Sequence, residues 1–389
     1  MGTSRVFAVA NEEGDRVTTL ELFFDLAFVF AFTQLSRLMA QQHDALGVFQ
    51  ALVILALLWW SWSSYGWLSN LAHADVGVVR IVMIVGMTSM FIAGLVVVEL
   101  YDDLPGGLYA PIVFVIAYLV ARITHAAVFV ALSAPQLRRR TLLTVCLTVL
   151  PAGVLLTTGA LLGSPWLMVL ALVTALIEPL VAYRTSAGVD WPVRSTTHFT
   201  ERHGLIVILA LGESTLAIGA GVAAEPMSAA ILLGVLLAMA ITVGMWWAYF
   251  SRLARQAEFA LAARRNGDLA RAARDGYTYL HLLLVAGIVL AALGIEVAMA
   301  HIAESEGLGL FGAAALGGGV ACYLSGTALF AHRVIGGWRT IRFVAAGLLV
   351  VAVPVLAVMA PVLSLSVVAV LLVALLAVER WAARSSAGT

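Results

Sequence analysis

The chain has 389 residues, 62% of them hydrophobic and only 11% charged, with a mean hydropathy of +1.02, whereas soluble globular proteins carry about 25% charged residues. That composition excludes a soluble domain, defines a polytopic integral membrane protein, and gives no sign of a nucleic-acid partner. The formal net charge is zero and all 22 basic residues are arginine, which removes lysine Schiff-base chemistry and the lysine of a phosphate-binding P-loop.

Residues 1–16 are polar and lack the basic, apolar and cleavage segments of a signal peptide, so the first apolar stretch is expected to remain as a helix. Windows near the length needed to cross about 30 Å of hydrocarbon predict helices over 18–39, 46–68, 78–99, 108–131, 141–162 and 166–183. A second set follows over 198–220, 227–250, 278–302, 308–331, 341–360 and 362–381. The breaks carry turn-forming residues: Asp102-Asp103-Leu104-Pro105-Gly106-Gly107, Gly163-Ser164-Pro165, Asp190-Trp191-Pro192, Glu225-Pro226 and Gly336-Gly337. The expected fold is therefore all-α, with about twelve transmembrane helices.

With the termini and even-numbered loops on one side, eighteen arginines fall there against Arg37 alone on the other, and Arg80, Arg122 and Arg202 lie within spans. The positive-inside rule then puts both termini in the cytoplasm. The one long loop, Arg252 to Gly276, carries six arginines among alanines and reads as an amphipathic helix on anionic headgroups.

Landmarks recur at a spacing near 190 residues. Glu21 opens span one as Glu201 opens span seven, Trp62-Ser63-Ser64-Tyr65 ends span two as Trp246-Trp247-Ala248-Tyr249 ends span eight, and Arg184 closes span six as Arg384 closes span twelve. These pairs predict a 6+6 parallel repeat, residues 1–190 and 191–389, with any central site at the seam between six-helix halves.

Charges inside the spans are the candidate functional residues, because Asp at the centre of a membrane helix costs about 2.5–3.5 kcal/mol and needs a partner. Glu21 and Asp25, four apart, share a helix face. Glu21 also fits a capping box with Thr18. In span seven His198, Arg202 and Glu213 form a polar stripe; Arg202 and Glu213, eleven residues apart, fall about 20° from the same face. Glu201 fits a helix N-terminus, and Arg80 fits a headgroup contact. Arg122 is mid-span, and Glu213 is its expected partner. Glu178, before Pro179, fits a boundary position as well as a functional one. The tryptophans Trp59, Trp60, Trp62 and Trp67 read as an interfacial belt, Gly317-Gly318-Gly319 as a close helix contact, and Cys146 and Cys322 as small buried apolar residues.

Thr18-Thr19-Leu20-Glu21-Leu22-Phe23-Phe24-Asp25-Leu26, together with His198-Phe199-Thr200-Glu201-Arg202-His203-Gly204 and Leu211-Gly212-Glu213-Ser214, resembles the bacterial low-temperature-requirement protein A (LtrA) family over nearly the whole chain. The resemblance implies a multi-helix bacterial membrane protein linked by name to growth in the cold, with Glu21, Asp25, Glu201, Arg202 and Glu213 at motif positions and no assigned chemistry.

Three functions stay open on the sequence. A secondary transporter or permease of the inner membrane would bind a small molecule, ion or proton through Glu21, Asp25, Arg80, Arg122, His198, Glu201, Arg202 and Glu213, without a cofactor. The loop motif of major-facilitator transporters is absent, since Ser69-Asn70-Leu71-Ala72-His73-Ala74-Asp75 stands in its place. An intramembrane enzyme acting on a lipid or prenyl diphosphate would hold Mg²⁺ on Glu21, Asp25 and Glu213, although neither a DDxxD nor an NDxxD pattern occurs. A structural or signalling protein has no positive mark. Membrane lipid is a partner under every reading.

Overall fold

The computed structural model describes residues 8–186, 191–223 and 225–385. Fourteen α-helices are present among them: α1 (Thr19–Gln42), α2 (Ala45–Leu71), α3 (Gly77–Leu95), α4 (Ala110–Leu132), α5 (Pro135–Leu162), α6 (Trp166–Ser186), α7 (Thr196–Gly221), α8 (Ala229–Phe250), α9 (Leu253–Ala262), α10 (Asn266–Ala272), α11 (His281–Ala300), α12 (Gly309–Val334), α13 (Thr340–Val358) and α14 (Pro361–Ser385). Twelve spans are long and apolar enough to cross a membrane, as the hydropathy windows predict. Among the described residues the β-structure is one isolated bridge, Ala10 with Ala72.

The chain forms two compact units, one of Met1–Gln42, Leu46–Leu205 and Arg264–Arg271, the other of His43–Ala45, Ile206–Ala263 and Ala272–Thr389. The change of unit after Leu205 falls inside α7, and residues 187–190, which include Asp190 of the break Asp190-Trp191-Pro192, lie outside the described residues.

In the first unit α1 packs on α3, α3 on α4, α4 on α5 and α5 on α6. Small residues set these approaches. A methyl group at Gly86 would overlap the Tyr65 ring, and one at Gly94 would stand 3.3 Å from Phe30, whose ring meets Phe91 at 4.6 Å. Helix α5 stops at Gly163, whose φ of 72° suits a residue without Cβ. The segment before α1 is tied down by Asn11 Nδ2 donating to the Ser69 carbonyl at 2.8 Å and the His73 amide donating to Val9 at 2.8 Å.

In the second unit α11 and α12 meet backbone to backbone. A Cβ at Gly287, Gly294 or Gly319 would overlap the backbone of Tyr323, Leu316 or Ala291, so Gly319 makes the close contact expected of the glycine run. Tyr323 donates to the Met245 carbonyl at 2.6 Å, and Tyr249 hydrogen-bonds His281 at 2.8 Å. Residues 252–276 are not one amphipathic helix. Helix α9 ends at Ala262 and α10, which up to Arg271 belongs to the first unit, opens on Asn266 at φ 49°, after which the chain widens into π-helical turns over Ala273–Leu280. A left-handed residue cannot continue an α-helix, which is why the run breaks there.

Candidate functional site

Helix α1 begins with a complete capping box. The Thr18 amide donates to Glu21 Oε2 at 2.8 Å, the Thr18 hydroxyl to the same oxygen at 3.0 Å, and the Glu21 amide to Thr18 Oγ1 at 3.3 Å. Glu21 is nonetheless fully buried, and its other oxygen, Oε1, faces Arg202 Nη1 at 2.7 Å and His198 Nε2 at 3.0 Å. The capping and charged-site readings of Glu21 are both satisfied: Oε2 takes the Thr18 contacts, Oε1 takes Arg202, and His198 Nε2 reaches both oxygens, at 3.0 and 3.1 Å.

One turn on, Asp25 Oδ1 accepts from Arg202 Nη2 at 3.1 Å and from the Trp62 indole at 2.8 Å. Four-residue spacing on α1 thus presents two carboxylates to one guanidinium on α7. Arg202 lies over the rings of Phe24 and Trp62, at 5.5 and 5.7 Å, so its faces are apolar and its edges ionic. Glu21, Asp25, His198 and Arg202 are all at most 1% exposed. Asp25 Oδ2 is buried and accepts no hydrogen bond.

The cluster is braced by α2 and the N-terminal turn of α7. Asn70 Nδ2 donates to the Ser195 carbonyl at 2.6 Å and approaches His198 Nδ1 at 3.4 Å, while Asn70 Oδ1 accepts from the Arg194 amide at 2.9 Å. With Asn70 the donor, neutral His198 carries its proton on Nε2 and gives it to Glu21. The N-terminus of α7 is capped by Glu13, which accepts from the Thr196 amide at 3.1 Å and its hydroxyl at 2.9 Å. Glu201 accepts from the Val17 amide at 3.2 Å and pairs with Arg16 at 3.5 Å, so it fastens the segment that leads into α1.

A second buried group lies on α4 and α6 of the same unit. Arg122 donates to Glu178 Oε1 through Nε at 3.2 Å and Nη2 at 2.9 Å, and to Ser64 Oγ through Nη1 at 2.6 Å. Tyr118 donates to Glu178 Oε2. The partner of Arg122 is therefore Glu178 rather than the expected Glu213, because depth in a span does not determine which helix packs alongside. Glu178 is 1% exposed and stands inside the fold. Tyr65, donating to the Ala121 carbonyl at 2.9 Å and with its ring tilted against Phe24 at 4.9 Å, lies between the two groups.

Four of the eight residues proposed on sequence therefore come together: Glu21, Asp25, His198 and Arg202. Arg122 belongs to the second group, Glu201 to the N-terminal fastening, and Arg80 is exposed, donating to the Asp75 carbonyl. Glu213 is buried on the portion of α7 that belongs to the second unit. Trp59 and Trp62 are corrections to the interfacial belt: Trp59 is buried against Trp62, and Trp62 is fully buried with its N–H on Asp25. Tyr118 and Asn70 are not among the candidates read from the sequence, which weighs Glu178 as either a boundary or a functional residue; the i, i+4 spacing of Tyr118 and Arg122 is the available signal for a shared polar face. Among the described residues no three His, Cys, Asp or Glu side chains gather as a metal site.

Among the described residues, twelve helices long and apolar enough to cross a membrane, some of them with buried charges, define a polytopic α-helical integral membrane protein. The profile of the family described as "Bacterial low temperature requirement A protein (LtrA)" matches residues 16–377, so the chain belongs to that family. It is also similar to an uncharacterized protein of Rhizobium meliloti, 27% identical over 332 residues that cover 82% of this chain and 77% of that one. No solved structure matches it.

Proposed function

We propose that the chain is a secondary transporter or permease of the bacterial inner membrane, with both termini cytoplasmic, in which Glu21, Asp25, His198 and Arg202 hold the coupling proton. One observation carries the reading: a buried cluster contains two carboxylates, one permanent cation and one histidine, and Asp25 Oδ2 has no hydrogen-bond partner. With one more acid than fixed base, the cluster is neutral only when a proton sits on His198 or a carboxylate. Loss of that proton leaves a net negative charge that a membrane interior tolerates poorly. Uptake and release of one proton therefore separate two electrostatic states, which is what coupling requires. Arg122 and Glu213 complete the ionisable set of this reading, and the paired landmarks of residues 1–190 and 191–389 support a 6+6 frame for it. The substrate is a small molecule or ion.

The test is solute-dependent proton movement in proteoliposomes loaded with a pH-sensitive dye, screened over a solute panel. Flux in the wild type that is lost in Asp25→Asn and in Glu213→Gln, both still folded, is the expected result. Absence of flux across the panel, with Mg²⁺-dependent release of diphosphate from prenyl substrates that Asp25→Asn abolishes, would establish the enzyme instead.

A further inference from the structure

The second unit contains a cavity of about 700 Å³ at the meeting of the α8 C-terminus, the start of α13 and the last turns of α14. Arg252, Arg339, Arg342 and Arg380 line it, with Trp247 and Trp338 at its walls. Glu379 also lines it and is held by Arg342, Nε at 2.7 Å from Oε1 and Nη2 at 2.9 Å from Oε2; the same Nη2 donates to the Ala248 carbonyl at 2.9 Å. Four guanidiniums face one carboxylate, which leaves three positive charges in excess.

Two observations independent of that count point to an anionic ligand. Arg342 is 6% exposed, and its Nη1 is buried without a hydrogen-bond partner. A buried guanidinium N–H left unpaired keeps its whole desolvation penalty, so it is a place for an acceptor. The N-terminus of α13 also forms part of the wall through Thr340 and Ile341, and no side chain caps it. The first N–H groups of a helix have no intrahelical acceptor and favour an anion.

The remaining lining sets the class of anion. Ile341, Leu376 and Val378 join the two tryptophans, and Trp381 beyond them is 70% exposed. Arg380 lies over the Trp247 ring at 5.5 Å. Tryptophan with arginine at the ends of membrane helices is the composition of a headgroup region, and the volume is that of a site for a drug-sized molecule rather than for a free oxyanion. We propose that this cavity binds the phosphodiester headgroup of an anionic phospholipid, with the phosphate on Arg342 Nη1 and the α13 N-terminus and the proximal acyl carbons against Trp247 and Trp338.

The test uses the full-length protein, delipidated in a neutral detergent and titrated by native mass spectrometry with phosphatidylglycerol, with phosphatidylcholine of the same chains, and with inorganic phosphate. Selective retention of phosphatidylglycerol is expected. It should fall about 25-fold in the surface variant Arg339→Gln/Arg380→Gln, at about fivefold per arginine, and further in Arg342→Gln. The surface variant guards against misfolding, since neither side chain is buried. Equal retention of the two lipids, or selectivity unchanged in the surface variant, would overturn the proposal. Binding of inorganic phosphate without lipid selectivity would show a soluble anion to be the ligand and would equally overturn it.

Discussion

Replacing Arg202 by methionine isolates the energetics of the buried cluster. The guanidinium contacts Glu21 at 2.7 Å and Asp25 at 3.1 Å, with all three side chains at most 1% exposed. At an effective dielectric of about 20 and a separation of about 3 Å each attraction is worth about 5 kcal/mol before desolvation. Methionine keeps the apolar contacts with Phe24 and Trp62 while leaving two carboxylates facing each other beside a single histidine. Breaking a buried pair by removing one partner costs about 3–5 kcal/mol, so Arg202→Met should lose at least that much. The triple variant Glu21→Gln/Asp25→Asn/Arg202→Met retains the shapes without the charges and should recover about 2 kcal/mol or more of the loss, because charged neighbours are strongly non-additive. Unfolding in mixed micelles, followed by tryptophan fluorescence, measures both quantities. A loss below about 1 kcal/mol, or a triple variant no more stable than Arg202→Met, would refute the view that Arg202 neutralises two buried acids.

Glu178→Gln should destabilise the protein by about 3–5 kcal/mol, since Arg122 and the Tyr118 hydroxyl both lose a charged acceptor at a buried position; thermal unfolding in detergent reads the change. Gly294→Val should prevent the close approach of α11 and α12 and reduce the folded yield on size-exclusion chromatography. Gly347→Ala, with nothing within 4 Å of the added methyl, should change the melting temperature little. Single cysteines at Asp103 and Arg265, in a background without Cys146 and Cys322, should react with an impermeant maleimide from outside and inside respectively; labelling of Arg265→Cys from outside would reverse the topology.

The helices are legible in the sequence because a membrane imposes a length and a composition, and each span carries both. Even the closely spaced spans resolve: Gly163 to Pro165 separates α5 from α6, and Met359 with Ala360 separates α13 from α14. Which face of α1 matters is also legible, as Glu21 and Asp25 follow the helical period. What periodicity cannot state is the order in which helices pack. Arg122 and Glu213 share a mid-span depth, yet Arg122 takes Glu178, because α4 and α6 belong to the same unit and Tyr118 stands on the same face. Trp59 and Trp62 mislead for a related reason: four tryptophans within one helix look like a surface girdle, and their spacing does not show that two of them face inward. Arg342 counts toward the basic loop in sequence, whereas three positions into α13 it is buried on Glu379.

The division of labour between the two oxygens of Glu21 makes the ion cluster detectable from outside it. Oε2 holds the Thr18 amide and hydroxyl, Oε1 holds Arg202, and His198 Nε2 reaches both, so any event that turns the carboxyl toward Arg202 withdraws it from Thr18, and the reverse. The amide of Thr18 is therefore a local gauge: its hydrogen-exchange protection should fall when Arg202 claims both oxygens and rise when the guanidinium lets go. Val17, next in the chain and held by Glu201 on the same helix as Arg202, would move in step. A rearrangement among the buried charges would thus be recorded in the few residues that precede the first membrane helix.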